Sequence, residues 1–274
     1  MESLAELFSL AFMQRAFAAA LLIGVVTALV GSYVVLRGMA FIGASVAHAS
    51  FGGVVLGLLL GWSPLAGALI FSVGTGVGIA ALSGSRRLKE DVAIGIFFAA
   101  TMALGIFLLG FLRDYALEVF SYLFGDILAV TSQDLWLTLA LASVTLGTVL
   151  LLYKELLLIS FDPETAQVQG FPLQLLQLLF VVLVALVVVI SLKVVGIILV
   201  SALLVIPAAT AQQLAHSFRE MQLLAVLFSL AASFGGLLLS YFLDVPSGAT
   251  IVLLATAIFF AVWGFRAIRA RLTS

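Results

Sequence analysis

The sequence predicts an all-α polytopic membrane protein with about nine, or alternatively eight, transmembrane helices. Hydrophobic residues make up 64% of the chain and charged residues only 9%, whereas soluble globular domains carry about 25% charged residues. The hydrophobic runs are continuous, which favours membrane helices over the alternating segments of a β-barrel. A formal net charge of −1 and the lack of cysteine exclude a basic nucleic-acid surface and disulfides.

Charged residues and turn signals divide the chain into its spans. Residues 38–85 contain no Asp, Glu, Lys or Arg, and as one helix they would be about 70 Å long, over twice the hydrocarbon core. The chain must therefore fold back, and the Gly-Trp-Ser-Pro sequence at 61–64 is the turn signal. The predicted spans are 16–36, 40–60, 64–83, 92–112, 135–153, 173–192, 194–215, 221–243 and 249–265.

The segment 113–134 mixes charged and apolar residues. Asp114, Glu118 and Asp126 interrupt apolar side chains such as Phe120. The pattern is compatible with an interfacial helix and with a re-entrant segment, and the sequence does not separate these two interpretations.

The Lys and Arg residues predict the orientation, because cytoplasmic loops carry an excess of both. Nine spans with the C-terminus inside leave only Arg15, Arg113 and Lys193 outside. The cytoplasmic set is then Arg37, Arg86, Arg87, Lys89, Lys154, Arg219, Arg266, Arg269 and Arg271. An eight-span alternative, in which 38–61 does not cross fully, moves Arg37 outside and weakens the bias. Both arrangements place the polar segment at about 160–172 in the cytoplasm.

This polar segment predicts a short helix near 163–169. Asp162 is a natural N-cap, because its carboxylate can accept a hydrogen bond from a free backbone N–H. Pro163 suits the first helical position, and Glu164 places a negative charge at the positive end of the helix dipole. Gly170 is a left-handed stop. Since a helix of about two turns is marginal alone, we expect it to dock on a partner.

His48 is the candidate ion ligand inside the spans. Neutral imidazole is the commonest metal ligand among side chains, and small neighbours such as Ser45 and Gly52 leave room for a water-filled path or for close helix packing. We therefore interpret His48, Ser45 and Ser50 as candidate lining of a translocation path. The alternative is a histidine that only forms an interhelical hydrogen bond. We place no Asp or Glu inside a span, which favours energy supplied from outside the spans.

Two other groups have both a functional and a structural interpretation. Pro207, with Thr210 after it, lies inside a predicted span. The functional interpretation is a hinge for a gate, and the structural one is a static bend of the helix. Asp244 and Ser247 lie in the predicted extracytoplasmic loop between the last two spans, at the outer mouth of the path. The functional interpretation is contact with a cation, and the structural one is a capped tight turn. The glycines between residues 52 and 78 favour close helix packing. The sequence has no phosphate-binding loop and no nucleophile–base pair, so we expect a transport subunit and no enzyme.

Five stretches occur in order along nearly the whole chain: Met-Ala-Phe-Ile-Gly within 35–53, Tyr-Leu-Phe-Gly-Asp within 121–134, Phe-Asp-Pro-Glu within 161–170, Ile-Pro-Ala-Ala-Thr within 203–210, and Asp-Val-Pro-Ser-Gly-Ala-Thr at 244–250. Together they resemble the membrane permease subunit of the zinc, manganese and iron type of ABC importers. The resemblance implies one permease domain over 1–274, in a prokaryotic plasma membrane. It also implies a second permease copy, two cytoplasmic ABC ATPase subunits and an extracytoplasmic metal-binding protein.

The resemblance also implies roles for particular residues. The segment from Phe161 to Gly170, which includes Asp162, Pro163 and Glu164, matches the element that docks on the ATPase. His48 matches the histidine that lines the ion path, but where the family often has an Asp four residues earlier this chain has Ala44. The first hypothesis is thus an importer permease for a divalent metal ion, with no permanent cofactor. The alternatives are an ABC permease for a metal chelate and a stand-alone carrier or channel.

Overall fold

The structure, a computed structural model, describes residues 9–84, 88–112, 125 and 127–273, and throughout these residues its regular structure is helical. The α-helices in chain order are α1 (Ala11–Leu36), α2 (Ile42–Leu59), α3 (Pro64–Gly84), α4 (Glu90–Leu109), α5 (Ser132–Leu151), α6 (Tyr153–Phe161), α7 (Pro163–Val168), α8 (Leu173–Gln212), α9 (Phe218–Leu243) and α10 (Ser247–Thr273). A short 3-10 helix, Ile127–Ala129, precedes α5.

Nine segments of the described chain are long and apolar enough to cross a membrane, which confirms the predicted fold class. α8 supplies two of them, Leu173–Leu192 and Val194–Gln212. α6 and α7 are too short to cross a hydrocarbon core of about 30 Å. They lie between the fifth and sixth spans, where the polar segment was predicted.

The core of the bundle is formed by α1, α2 and α8. In the most apolar window of α1 and of each half of α8, 67% of the residues are buried, against 11% in α10. α4 and α5 are also little buried, at 22% and 28% of the residues in their windows. Apolar helix faces of this kind contact lipid or another membrane protein.

α8 folds back on itself at Gly196. Near its start, Phe180 contacts Tyr33 of α1, with ring centroids 6.4 Å apart. Further along, Leu204 lies so close to Gly31, within one turn of Tyr33, that a Cβ on Gly31 would overlap the Leu204 carbonyl oxygen. A straight helix from residue 180 to residue 204 would extend about 36 Å, so the chain must reverse between them. Within α8 only Gly196 has non-helical backbone angles, φ 77° and ψ 168°.

The two apolar segments divide at residue 193 as predicted, but the backbone reverses three residues later and the second segment ends at Gln212. The sequence placed the turn between the sixth and seventh spans at Lys193, on the strength of its charge, and extended the seventh span to residue 215. The reversal needs a positive φ, which glycine adopts without steric cost and lysine does not. The turn is therefore at Gly196, and α8 ends at Gln212.

Glycines bring α2 and α3 into backbone contact. A Cβ on Gly53 would overlap the carbonyl oxygen of Gly67, and a Cβ on Gly67 would overlap that of Gly53. The packing interpretation of the glycine-rich region is therefore confirmed at Gly53. The predicted turn at 61–64 is also present, with Gly61 at φ 69°.

Parts of the predicted loops lie outside the described residues. These are Arg86 and Arg87, and the stretch 113–124 with Asp126.

A cap fixes the start of α5. Thr131 and Asp134 form a capping box, in which each side chain bonds the other's backbone N–H. α5 therefore begins at Ser132, earlier than the predicted start at residue 135, because this cap draws polar residues into the first turn.

Candidate functional site

One end of the bundle, called here the Arg37 end, collects residues from distant parts of the chain. Arg37 Nη2 lies 3.2 Å from Glu90 Oε1 at the start of α4. The Arg37 guanidinium also lies over the Phe180 ring of α8, 4.7 Å from its centroid. At the start of α6, the Tyr153 ring lies 6.1 Å from the Phe218 ring of α9. The Phe218 ring in turn contacts Tyr33, one turn before Arg37, so α6 and α7 lie at the same end as the α1–α2 turn and the start of α4.

The polar segment at this end forms the predicted capped helix. The backbone N–H of Thr165 donates to Asp162 Oδ1 at 2.9 Å, and Pro163 occupies the first helical position. α7 ends at Val168, and Gly170 follows with φ 83°. The Thr165 hydroxyl, and then its backbone N–H, hold the pKa of Asp162 below its usual 3.8. Asp162 is therefore ionised at neutral pH, and the cap weakens only as pH falls through that lowered pKa.

α7 turns one small residue inward and leaves the rest of its surface uncovered. Ala166 is fully buried, whereas Val168 is 88% exposed and Phe161, at the end of α6, is 64% exposed. Asp162, Pro163, Glu164 and Gly170 are exposed as well. Beside α7 is a groove of about 540 Å³, lined by Ser83, Glu90, Gln167, Phe171, Pro172, Leu173, Gln174, Leu175 and Gln177. Phe161, Val168 and this groove are the candidate docking surface of the polar segment.

A cavity of about 510 Å³ contains His48. It lies between α2, α4 and the second half of α8, and its lining is Phe41, Ala44, His48, Asp91, Gly95, Phe98, Ile197, Ile198 and Ser201. Phe41 and Asp91 belong to the Arg37 end, so the cavity extends from His48 toward that end. Apart from His48, Asp91 and Ser201, the side chains of this lining are apolar.

The hydrogen bonding of His48 leaves one ring nitrogen available. Nδ1 lies 2.8 Å from the carbonyl oxygen of Ala44. A carbonyl oxygen only accepts, so Nδ1 carries the proton and Nε2 of the neutral ring keeps its lone pair. The ring packs edge-on against Phe98, with centroids 4.7 Å apart. This orientation fits a single imidazole ligand, and in the described residues no group of three or more His, Asp or Glu is placed to hold a metal ion.

The two serines predicted beside His48 point to other helices. Ser45 is fully buried and its hydroxyl donates to the Ile94 carbonyl oxygen of α4 at 3.3 Å. Ser50 is also buried, and its hydroxyl hydrogen-bonds Ser72 of α3. Neither serine is part of the cavity lining described above. The structure therefore brings only His48 of this predicted set to the cavity.

Pro207 lies within the second half of α8, in continuous helix. The hydroxyl of Thr210, which is buried, donates to the Ile206 carbonyl oxygen at 2.7 Å. The sharp change of direction in α8 is at Gly196 and not at Pro207. The role of Pro207 and Thr210 as a hinge stays a prediction.

Asp244 and Ser247 lie at the end of the bundle opposite to Arg37. Asp244 ends α9 with a left-handed backbone (φ 53°), and Ser247 begins α10. The Ser240 hydroxyl bonds the Val245 carbonyl oxygen across this turn. The tight turn predicted here is present, and cation contact at this mouth stays a prediction.

Sequence reasoning missed two residues of these sites, Asp91 and Val168. Asp91 falls just before the predicted fourth span, 92–112, but it lies in the first turn of α4 and lines the His48 cavity. Val168 lies in the predicted helix near 163–169 and was given no role there, but its side chain is 88% exposed. The exposure of Val168 could have been inferred from its position opposite Ala166, two residues earlier in a helix.

Comparison with known proteins assigns the chain to a family. The model of the ABC 3 transport family matches residues 9–266. The manganese transport system membrane protein MntC of Halalkalibacterium halodurans is 41% identical over 93% of this chain and 87% of that protein. The manganese import system permease protein ScaB of Streptococcus parasanguinis is 38% identical over 95% of this chain and 92% of its own length.

A solved structure agrees with these sequence matches. The structure of PsaBC from Streptococcus pneumoniae in complex with Fab contains a chain that superposes with a TM-score of 0.84 at 35% identity, covering 95% of both chains. A family match over nearly the whole sequence and an agreeing fold lead to one conclusion. The chain is a multi-pass membrane protein of the ABC 3 transport family.

Proposed function

We propose that the chain is the permease subunit of an ABC importer for a divalent metal ion. Manganese is the first candidate, because the relatives MntC and ScaB carry it in their names; iron and zinc are the competitors. The observation that carries the proposal is the capped helix α7, exposed at the end of the bundle toward which the His48 cavity extends.

The Arg37 end faces the cytoplasm in this proposal. Described basic residues at this end include Arg37, Lys89, Lys154 and Arg219, and α10 returns to it with Arg266, Arg269 and Arg271. An excess of Lys and Arg is the mark of the cytoplasmic side. Two ABC ATPase subunits would supply the energy from there, and this chain itself would hydrolyse no ATP. An extracytoplasmic metal-binding protein would then deliver the ion at the opposite mouth, near Asp244 and Ser247.

α7 is the coupling element. Phe161 and Val168 would insert into the partner ATPase, while Asp162, Pro163 and Gly170 fix the bounds of the helix. Glu164 adds a negative charge at its N-terminus. Because Ala166 is buried against the bundle, a displacement of α7 by the ATPase would be passed to the transmembrane helices.

His48 is the ion ligand, and a second copy of the chain completes the path. Phe41 is 66% exposed and Ile198 is 59% exposed, so the cavity that they line opens on the outer surface of this chain. A cation path open to lipid would be costly, and a second permease would cover it. Ser45 and Ser50 would support the packing of α2, and Pro207 with Thr210 would bend the second half of α8 as the path opens.

The test is reconstitution in proteoliposomes with the partner ATPase, supplied with the extracytoplasmic metal-binding protein. We expect uptake of free Mn²⁺ that requires ATP and the ATPase. Uptake by the chain alone would contradict the proposal and support a stand-alone carrier. Uptake of a metal chelate in place of the free ion would support a chelate permease. Inhibition of Mn²⁺ uptake by Fe²⁺ and by Zn²⁺ ranks the three ions by their preference for the transporter.

A further inference from the structure

Two adjacent acids at the start of α4 have different surroundings. Glu90 is paired with Arg37, at 3.2 Å, and lines the groove beside α7. Asp91 is exposed and lines the His48 cavity. Within the described residues the Asp91 side chain has no ion pair or hydrogen bond. One acid is therefore neutralised by a partner, and the other presents a free carboxylate to the cavity.

Asp91 is the only negative charge among the described lining residues of that cavity. A divalent cation in an apolar cavity is costly unless a negative group compensates for its lost hydration. The neutral imidazole of His48 supplies a lone pair but no charge, and position 44, one turn before it, is an alanine. The nearest source of negative charge along this lining is therefore on α4.

The helix register places His48 and Asp91 too far apart to bind one ion together. The His48 ring contacts Phe98, and Ser45 bonds Ile94. α2 and α4 therefore run parallel, and His48 lies at the level of Phe98. From Phe98 back to Asp91 the rise along α4 is about 10 Å. Metal–oxygen and metal–nitrogen bonds are about 2 Å long. Asp91 thus lies roughly two turns from His48, toward the Arg37 end.

We propose that Asp91 is a second ion-binding residue of the path, which receives the divalent cation from His48 and holds it at the Arg37 mouth. This inference rests on the proposed transport function. A conduit benefits from several weak sites, because each must release its ion. Asp91 on α4 thereby supplies the negative charge that Ala44 on α2 does not.

The test compares Asp91 variants in the reconstituted complex. Wild-type uptake of Mn²⁺ is measured first. Its absence would contradict the proposed transport function itself, independently of Asp91. Given wild-type uptake, we expect Asp91→Asn to raise the KM for Mn²⁺ roughly 10–100-fold, the range typical for loss of a group that supports a metal site. Asp91→Glu should restore most of the affinity, because it keeps the carboxylate.

Glu155→Gln is the matched control, since it removes one negative charge from α6 at the same end of the bundle, away from the cavity lining. It should leave the KM unchanged. If Asp91→Asn transports Mn²⁺ with the wild-type KM, the inference is wrong. It is equally wrong if Asp91→Asn lowers only thermal stability, because a carboxylate in the first turn also stabilises a helix through its dipole.

A second readout does not depend on transport. The chain contains no cysteine, so Asp91→Cys introduces a single thiol, and thiolates favour soft divalent ions. We expect Cd²⁺ to protect this thiol from a maleimide in the assembled complex, and not the thiol of Glu155→Cys. Equal labelling of both variants with and without Cd²⁺ would overturn the proposal.

Discussion

Arg37 and Glu90 join the end of α1 to the start of α4 through an ion pair of 3.2 Å. The Arg37 side chain is only 6% exposed and also lies over Phe180 of α8, whereas Glu90 is 34% exposed. The pair therefore ties three helices together at the end of the bundle that carries α7.

Breaking this pair should destabilise the fold. Glu90→Gln leaves a buried guanidinium without its counter-ion, which we expect to cost about 1–3 kcal/mol. Arg37→Ala also removes the contact with Phe180 and should cost more. Thermal unfolding of the purified protein in detergent measures both changes. An unchanged melting temperature for Glu90→Gln would show that the ion pair does not stabilise the fold.

Close packing of α2 on α3 gives a second prediction. Gly53→Ala places a methyl group on the backbone of Gly67, and overpacking of this kind costs about 1–3 kcal/mol. Gly74→Ala, in α3, is the matched control, because nothing lies within 4 Å of its added carbon. We expect a lower melting temperature for Gly53→Ala only. Equal effects of the two variants would contradict the close contact.

The double variant Asp162→Ala with Glu164→Ala should uncouple transport from ATP hydrolysis. It removes the N-cap of α7 and a charge that stabilises its first turn, while the transmembrane spans stay intact. Metal uptake per ATP hydrolysed is the measurement, with membrane insertion checked in parallel. Asp162→Asn is the control, because Asn caps as well as Asp does. Normal coupling in the double variant would remove α7 from the mechanism.

Phe161 at the end of α6 and Val168 at the end of α7 should bind the ATPase. Val168→Ser, at a side chain 88% exposed, should weaken copurification of the ATPase without lowering the melting temperature of the permease. Phe161→Ala should act in the same direction. Val245→Ser changes an exposed valine at the opposite end and should leave the complex intact. Equal ATPase recovery with Val168→Ser and with wild type would place the docking surface elsewhere.

Features set by neighbouring residues could be predicted from the sequence. The cap at Asp162, the stop at Gly170 and the turn at Gly61 depend on residues within a few positions of one another, and all three are present. The nine apolar segments follow in the same way, because charges and turns separate them. The spans and α7 could therefore be predicted from residues close to one another in the sequence.

Features set by packing could not be predicted in this way. The reversal of α8 lies at Gly196, inside an apolar run where glycine is common in membrane helices. Ser45 and His48 both face α4, yet the Ser45 hydroxyl is buried against the Ile94 carbonyl oxygen and does not line the cavity. Asp91 faces the His48 cavity only because α4 runs parallel to α2. No sequence pattern in α4 alone indicates that neighbour.

The most direct test of the account is the transport activity of His48→Ala in proteoliposomes that contain the ATPase and are supplied with the metal-binding protein. The structure puts His48 alone of the predicted path residues in the cavity, with Nε2 available. We expect ATP-driven Mn²⁺ uptake to fall sharply while the subunits still assemble. Uptake of Mn²⁺, Fe²⁺ and Zn²⁺ at wild-type rates by His48→Ala would contradict the proposed path.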